Sequence, residues 1–117
     1  MTPEELKKRT KEFVIGVIRL SDEIPKKKAA EIMHGQLLRA SSSVGANYRS
    51  ACRARSRADF ISKITIVEEE ADESCYWLEL FLESGLVKSQ KVESLLREAR
   101  ELTAIFVSSG KTAKQNR

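Results

Sequence analysis

Glu31-Ile32-Met33-His34 sets a carboxylate and an imidazole three residues apart, the spacing that puts both on one helical face in carboxylate-bridged di-iron bundles. Such a centre needs the pair twice, and His34 is the only histidine of the chain, so it is expected to be an exposed or capping residue with no metal role. Gly110-Lys111-Thr112 has the ending of a phosphate-binding P-loop, but the first glycine of that pattern would fall at Ile105 and no strand precedes it. The fragment reads instead as the end of a helix. The acidic run Glu68-Glu69-Glu70-Ala71-Asp72-Glu73 lacks the glycine-containing loop of a calcium site and reads as a solvated or ion-paired helix face. One histidine cannot assemble a Ser/His/Asp or Cys/His set. Cys52 and Cys75 form neither a C-x-x-C pair nor a disulfide framework, which leaves two reduced packing thiols. The chemistry-bearing residues therefore predict no enzyme, no cofactor and no metal.

Charge carries more information. Residues 26–63 hold nine basic groups against Glu31 and Asp59, nine minus two, a local net charge of +7. Residues 64–83 hold seven acids and no Lys or Arg, a net of −7. Two explanations stand: two neighbouring helices pairing their charges across a solvated surface, or a basic face held for a polyanion. Arg49, Arg53, Arg55 and Arg57, joined by Lys63, are the expected phosphate contacts, because a guanidinium grips phosphate oxygens bidentately. Arg49, Arg53 and Arg57 are spaced by four and share a face for as long as the helix continues.

The elements that must position these groups are helices. Glycine (5) and proline (2) are too scarce for the turns of an all-β chain. Thr2-Pro3-Glu4-Glu5 is an N-cap Thr, a first-turn proline and a Glu three residues after the cap. Leu6, Phe13, Val14, Val17 and Ile18 line that first helix until Ile24-Pro25 stops it. A second helix is expected from about Ala29 to about Ala54, with Met33, Leu37, Ala40, Val44 and Ala51 inward. Its small-residue stretch from Ala40 to Ala46 predicts either a tight helix crossing or a kink at Gly45. Ser56 caps a third helix whose stripe is Phe60, Ile64, Val67, Ala71, Cys75, Leu78 and Leu82, ended at Gly85. Ser89 caps a fourth, lined by Val92, Leu95, Leu96, Ala99, Leu102 and Phe106 and expected to end at Gly110. Short connections favour antiparallel neighbours, so the fold class is all-α: an antiparallel up-down-up-down four-helix bundle over residues 1–110, followed by a flexible polar tail over 111–117.

At 117 residues the chain is expected to form one domain. No apolar run reaches a membrane span and no signal-peptide pattern opens the chain, so a cytoplasmic, membrane-free protein is expected. Apolar residues nevertheless exceed what one core absorbs. Trp77-Leu78-Glu79-Leu80-Phe81-Leu82 and Phe13-Val14-Ile15-Gly16-Val17-Ile18 point most of the way round their helices. Ile15, Trp77, Leu80 and Phe81 are accordingly expected to line an interface between copies.

The segment from Leu38 to Ala51, with Ala54-Arg55-Ser56-Arg57-Ala58-Asp59-Phe60 and the run from Glu68 to Leu78, resembles the bacterial four-helix bundle proteins. These include the 23S rRNA intervening-sequence proteins and, more distantly, the accessory variability protein of diversity-generating retroelements. The resemblance spans about residues 10–107. It implies a left-handed four-helix bundle assembled into a ring, commonly a homopentamer, with nucleic-acid-linked roles in some members and no catalytic residue. The expected partners are a second copy of the chain, RNA or DNA, and a protein such as a reverse transcriptase. The rival expectation is an assembly or adaptor module without a nucleic-acid ligand.

Overall fold

The computed structural model describes residues 1–116. Helix α1 covers Pro3–Arg19, α2 Lys28–Ala51, α3 Arg57–Ser84 and α4 Gln90–Gln115. The Thr2 side chain accepts from the Glu5 amide at 3.1 Å while the Glu5 carboxylate accepts from the Thr2 amide at 3.0 Å, closing the expected capping box. After Arg19 the chain tightens into one 3-10 stretch, Leu20–Glu23, and Ile24 turns extended ahead of Pro25. Helix α2 ends at Ala51, short of Ala54, because its last turn closes by bonds to the third residue back, Arg53 to Ser50 and Ala54 to Ala51. Ser56 caps α3 by accepting from Asp59, and Gly85 ends it at φ +75°, the left-handed conformation that favours glycine.

The neighbouring helices run antiparallel. Thr10 meets Gly45 and His34 meets Val17 between α1 and α2; Ile64 meets Gly110 and Cys75 meets Thr103 between α3 and α4; Arg9 meets Glu98 between α1 and α4. Arg39 lies twelve residues above the end of α2 and bonds to Glu70, thirteen above the start of α3. Both therefore stand about 18–20 Å from the turn that joins these helices. The molecule measures 48 × 22 × 21 Å.

The core is one column of side chains containing Val17, Leu37, Val44, Ile64, Val67, Leu78, Phe81, Leu102 and Phe106, with Tyr48 tilted against Phe106 at a ring separation of 5.2 Å. Thr10, Ser41 and Ser74 are buried with it, and each hydroxyl donates to a carbonyl of its own helix. This is how polar groups sit in a core without loss. Helix α2 is continuous through Gly45, so the small-residue stretch is a crossing point and not a kink. A Cβ on Gly45 would stand 3.2 Å from the Thr10 hydroxyl oxygen of α1.

Two expectations need correction. Helix α4 does not stop at Gly110, and residues 111–115 are its last turn rather than a flexible tail; Arg117 lies outside the described residues. Gly110 is a buried helix-interior position where α3 approaches closely. A Cβ added there would meet the Glu68 carboxylate and Ile64, so the lack of a side chain at Gly110 serves packing and not termination. Phe81 is fully buried in the chain's own core and is unavailable to a second copy. The inward residues of α3 keep a 3,4 alternation, Ile64, Val67, Ala71, Ser74, Leu78 and Phe81, so the stripe arrives at Phe81 and leaves Leu82 half-buried.

Candidate nucleic-acid interface

The antiparallel order gathers the start of α1, the end of α2, the start of α3 and the end of α4 at one end of the bundle. Arg49, Arg53, Arg55 and Arg57 all lie there, all four exposed, and none forms an ion pair among the described residues. Lys63 stands higher on α3 and is tied to Asp59 at 3.2 Å. The Asp59 carboxylate also accepts from the Arg55 amide at 3.1 Å. That amide first, and the Lys63 ammonium second, hold the Asp59 carboxyl below its ordinary range. Asp59 thereby fixes the turn from which the Arg55 and Arg57 side chains extend.

Arg39 behaves differently. It bridges α2 to α3 by bonding to Glu70 at 2.8 Å and to Glu73, and these two carboxylates raise its pKa, Glu70 the more strongly. Glu73 also accepts from the Trp77 indole at 3.1 Å. Charge sorting along the sequence thus has two uses: pairing across α2 and α3 at Arg39, and an uncompensated cluster at the end of the bundle.

Lysines that the sequence alone does not single out join that end. Lys7, Lys8 and Lys11 of α1 line, with Arg49, Ser42, Gly45 and Ala46 of α2, a groove of about 630 Å³ between the two helices. Lys111 and Lys114 lie on the last turn of α4. Lys7, Lys8 and Lys11 are far from Arg49 in sequence, and only the antiparallel pairing of α1 with α2 brings them beside it; the signal was the Thr2-Pro3 cap, which fixes where α1 begins.

Of the residues expected at an interface between copies, Ile15 is 36% exposed and Trp77 and Leu80 are half-buried. Ile18, Ile32, Ile66 and Tyr76 are exposed besides, at 42–55%, so the apolar surplus exists but is carried by a partly different set. Tyr76 and Trp77 meet edge to face at 5.0 Å.

The His34 Nε2–H donates to Val17 O over 2.9 Å, and that carbonyl belongs to the last turn of α1, where helix carbonyls generally lack an intrahelical partner. Glu31 is exposed. Cys75 is buried, and burial raises its thiol pKa; Cys52 is exposed at the α2 end, unlike the packing thiol expected there. Among the described residues no helix is long and apolar enough to cross a membrane.

Four antiparallel helices with an uncompensated cationic end define a class of small all-α bundles. The chain belongs to the 23S rRNA-intervening sequence protein family, whose model matches residues 4–108. It is similar to the crystal structure of a protein of the S23 ribosomal protein family from Bacteroides thetaiotaomicron, itself described as of unknown function. The two are 34% identical with a TM-score of 0.81, over 90% of this chain and 97% of that one. No curated protein matches the chain.

Proposed function

We infer that this protein is a non-enzymatic, cytoplasmic homo-oligomer that binds RNA or another nucleic acid through the basic end of its bundle. The observation that carries this reading is the contrast between Arg39, neutralised by Glu70 and Glu73, and Arg49, Arg53, Arg55 and Arg57, which have no carboxylate partner among the described residues. Phosphate oxygens are the partners whose geometry suits such a cluster. The family's link to an intervening sequence of 23S rRNA supports RNA over other polyanions. Exposed Ile15, Ile18, Ile32 and Tyr76 support self-association, and the family resemblance favours a pentamer of about five times 13.2 kDa. A ring would present several copies of the basic end together and multiply their effective affinity.

A second reading is an adaptor that contacts a protein, such as a reverse transcriptase, through α3. It draws on Glu69, Asp72 and Glu83, which have no ion pair among the described residues and flank Tyr76 and Leu80. Light scattering with an RNA mobility-shift assay tests both. The first reading requires a multimer that retards RNA at low salt; a multimer that retards neither RNA nor DNA leaves the adaptor.

A further inference from the structure

We propose that the groove between α1 and α2 seats the phosphodiester backbone of a single-stranded nucleic acid, with Lys7, Lys8, Lys11 and Arg49 as its phosphate contacts. This rests on the nucleic-acid reading above and specifies the form of nucleic acid and the residues that select it.

Four observations converge on the groove. Its lining carries four cations against one carboxylate, Glu4. Glu4 is engaged by Lys7 at 3.2 Å and Lys8 stands 3.9 Å from Glu12, while Lys11 and Arg49 have no ion pair among the described residues. The second observation is width. Helices in contact lie about 8–10 Å apart, and here Gly45 lets Thr10 come close. A duplex, whose major groove alone is about 12 Å wide, cannot sink into such a furrow and can offer it only the outer edge of one backbone, whereas a single strand can lie along it.

The third observation is the floor. Thr10, Ser42, Gly45 and Ala46 are small, and Val14 is the only large apolar residue of the lining. A docked helix would need a row of apolar anchors, which this floor does not offer. It has no aromatic ring either, so bases would not stack and recognition would run through phosphates, with little sequence preference. The fourth is continuity. Ser42, Ala46 and Arg49 are spaced 4 and 3 along α2, one helical row that leads from the groove to the end of the helix, and Arg53 follows two residues beyond that end, in the α2–α3 turn. A strand lying in the groove reaches that cluster without a break in the cationic track.

The test measures fluorescence anisotropy of labelled poly-uridylate and of an RNA duplex of equal length, using full-length wild type and the Lys8→Gln, Lys11→Gln double variant, which leaves the arginines of the basic end in place. Both side chains are exposed, so the variant is expected to fold and assemble as wild type, checked by circular dichroism and light scattering. Losing two single-strand contacts lowers the log-log salt slope for poly-uridylate by about 1.4, at about 0.7 per phosphate. The affinity lost between 50 and 200 mM salt then shrinks by about sevenfold, and duplex binding is unchanged. Equal weakening on both RNAs, or none on either, overturns the proposal while the nucleic-acid reading stands. A variant that dissociates into monomers overturns it in favour of a second copy seated in the groove. A wild type that binds no RNA or DNA removes the nucleic-acid reading and this inference together.

Discussion

Replacing Gly45 with alanine tests whether α1 and α2 cross where the small residues sit. At an unobstructed helix position the change stabilises, by about 0.8–1.0 kcal/mol. Gly35 is such a position, on the same helix with nothing within 4 Å of an added Cβ, so Gly35→Ala is expected to raise the melting temperature by roughly 3–6 °C. Gly45 differs. Its new Cβ would stand 3.2 Å from Thr10 Oγ1 and 3.4 Å from Thr10 Cβ. Thr10 is 1% exposed and its hydroxyl is held by Leu6 O at 2.9 Å and Lys7 O at 3.0 Å, so it cannot swing aside. Overpacking of this kind costs about 1–3 kcal/mol, which cancels or exceeds the propensity gain. Gly45→Ala is therefore expected to be about 0–2 kcal/mol less stable than wild type, measured by denaturant melts followed at 222 nm with protein concentration fixed. Adding Thr10→Ala removes the obstructing atoms, and the double variant should recover part of the loss, a favourable coupling in a double-mutant cycle. Equal stabilisation by Gly35→Ala and Gly45→Ala would refute the close crossing.

Phe81→Glu is expected to abolish folding, because it places a carboxylate in the sealed core, whereas Leu80→Glu leaves helicity intact and lowers the mass seen by light scattering. His34→Ala removes one interhelical hydrogen bond and should cost about 0.5–1.5 kcal/mol, read from the same denaturant melts. Asp59 is held below its ordinary carboxyl range by the Arg55 amide and then Lys63, so its contribution is present above the unfolded carboxyl pKa of about 4 and lost as pH falls through the folded value. Melting temperature should accordingly drop in the acid range, and less steeply in Asp59→Asn.

Helix count, caps and antiparallel order were legible because three of the four starts carry a local signal: the Thr2 box, Ser56 and Ser89 are chemistry confined to four residues. The α2 start shows the converse, since Lys27 makes no side-chain cap and only the proline before it marks the boundary. Gly110 misled because a glycine near a helix end reads as a stop, and its use for the approach of α3 depends on a residue 42 positions away, Glu68. Phe81 misled for a related reason. Five apolar residues among six leave the inward phase undetermined until the 3,4 alternation from Ile64 is followed through. At the basic end, the four arginines are close in sequence and were visible; Lys7, Lys8 and Lys11 join them only through topology.

On the reading proposed above, the cationic end of this bundle binds phosphate. The most direct test of that reading is the affinity of wild type for RNA as a function of salt, beside the Arg53→Glu, Arg57→Glu double variant. Counterion release from three or more contacts predicts a log-log slope of at least about 2 on a single strand, with the variant weakened and its assembly intact. No binding of RNA or DNA at low salt, together with a variant that falls apart, would contradict the account and assign these arginines to holding the protein together.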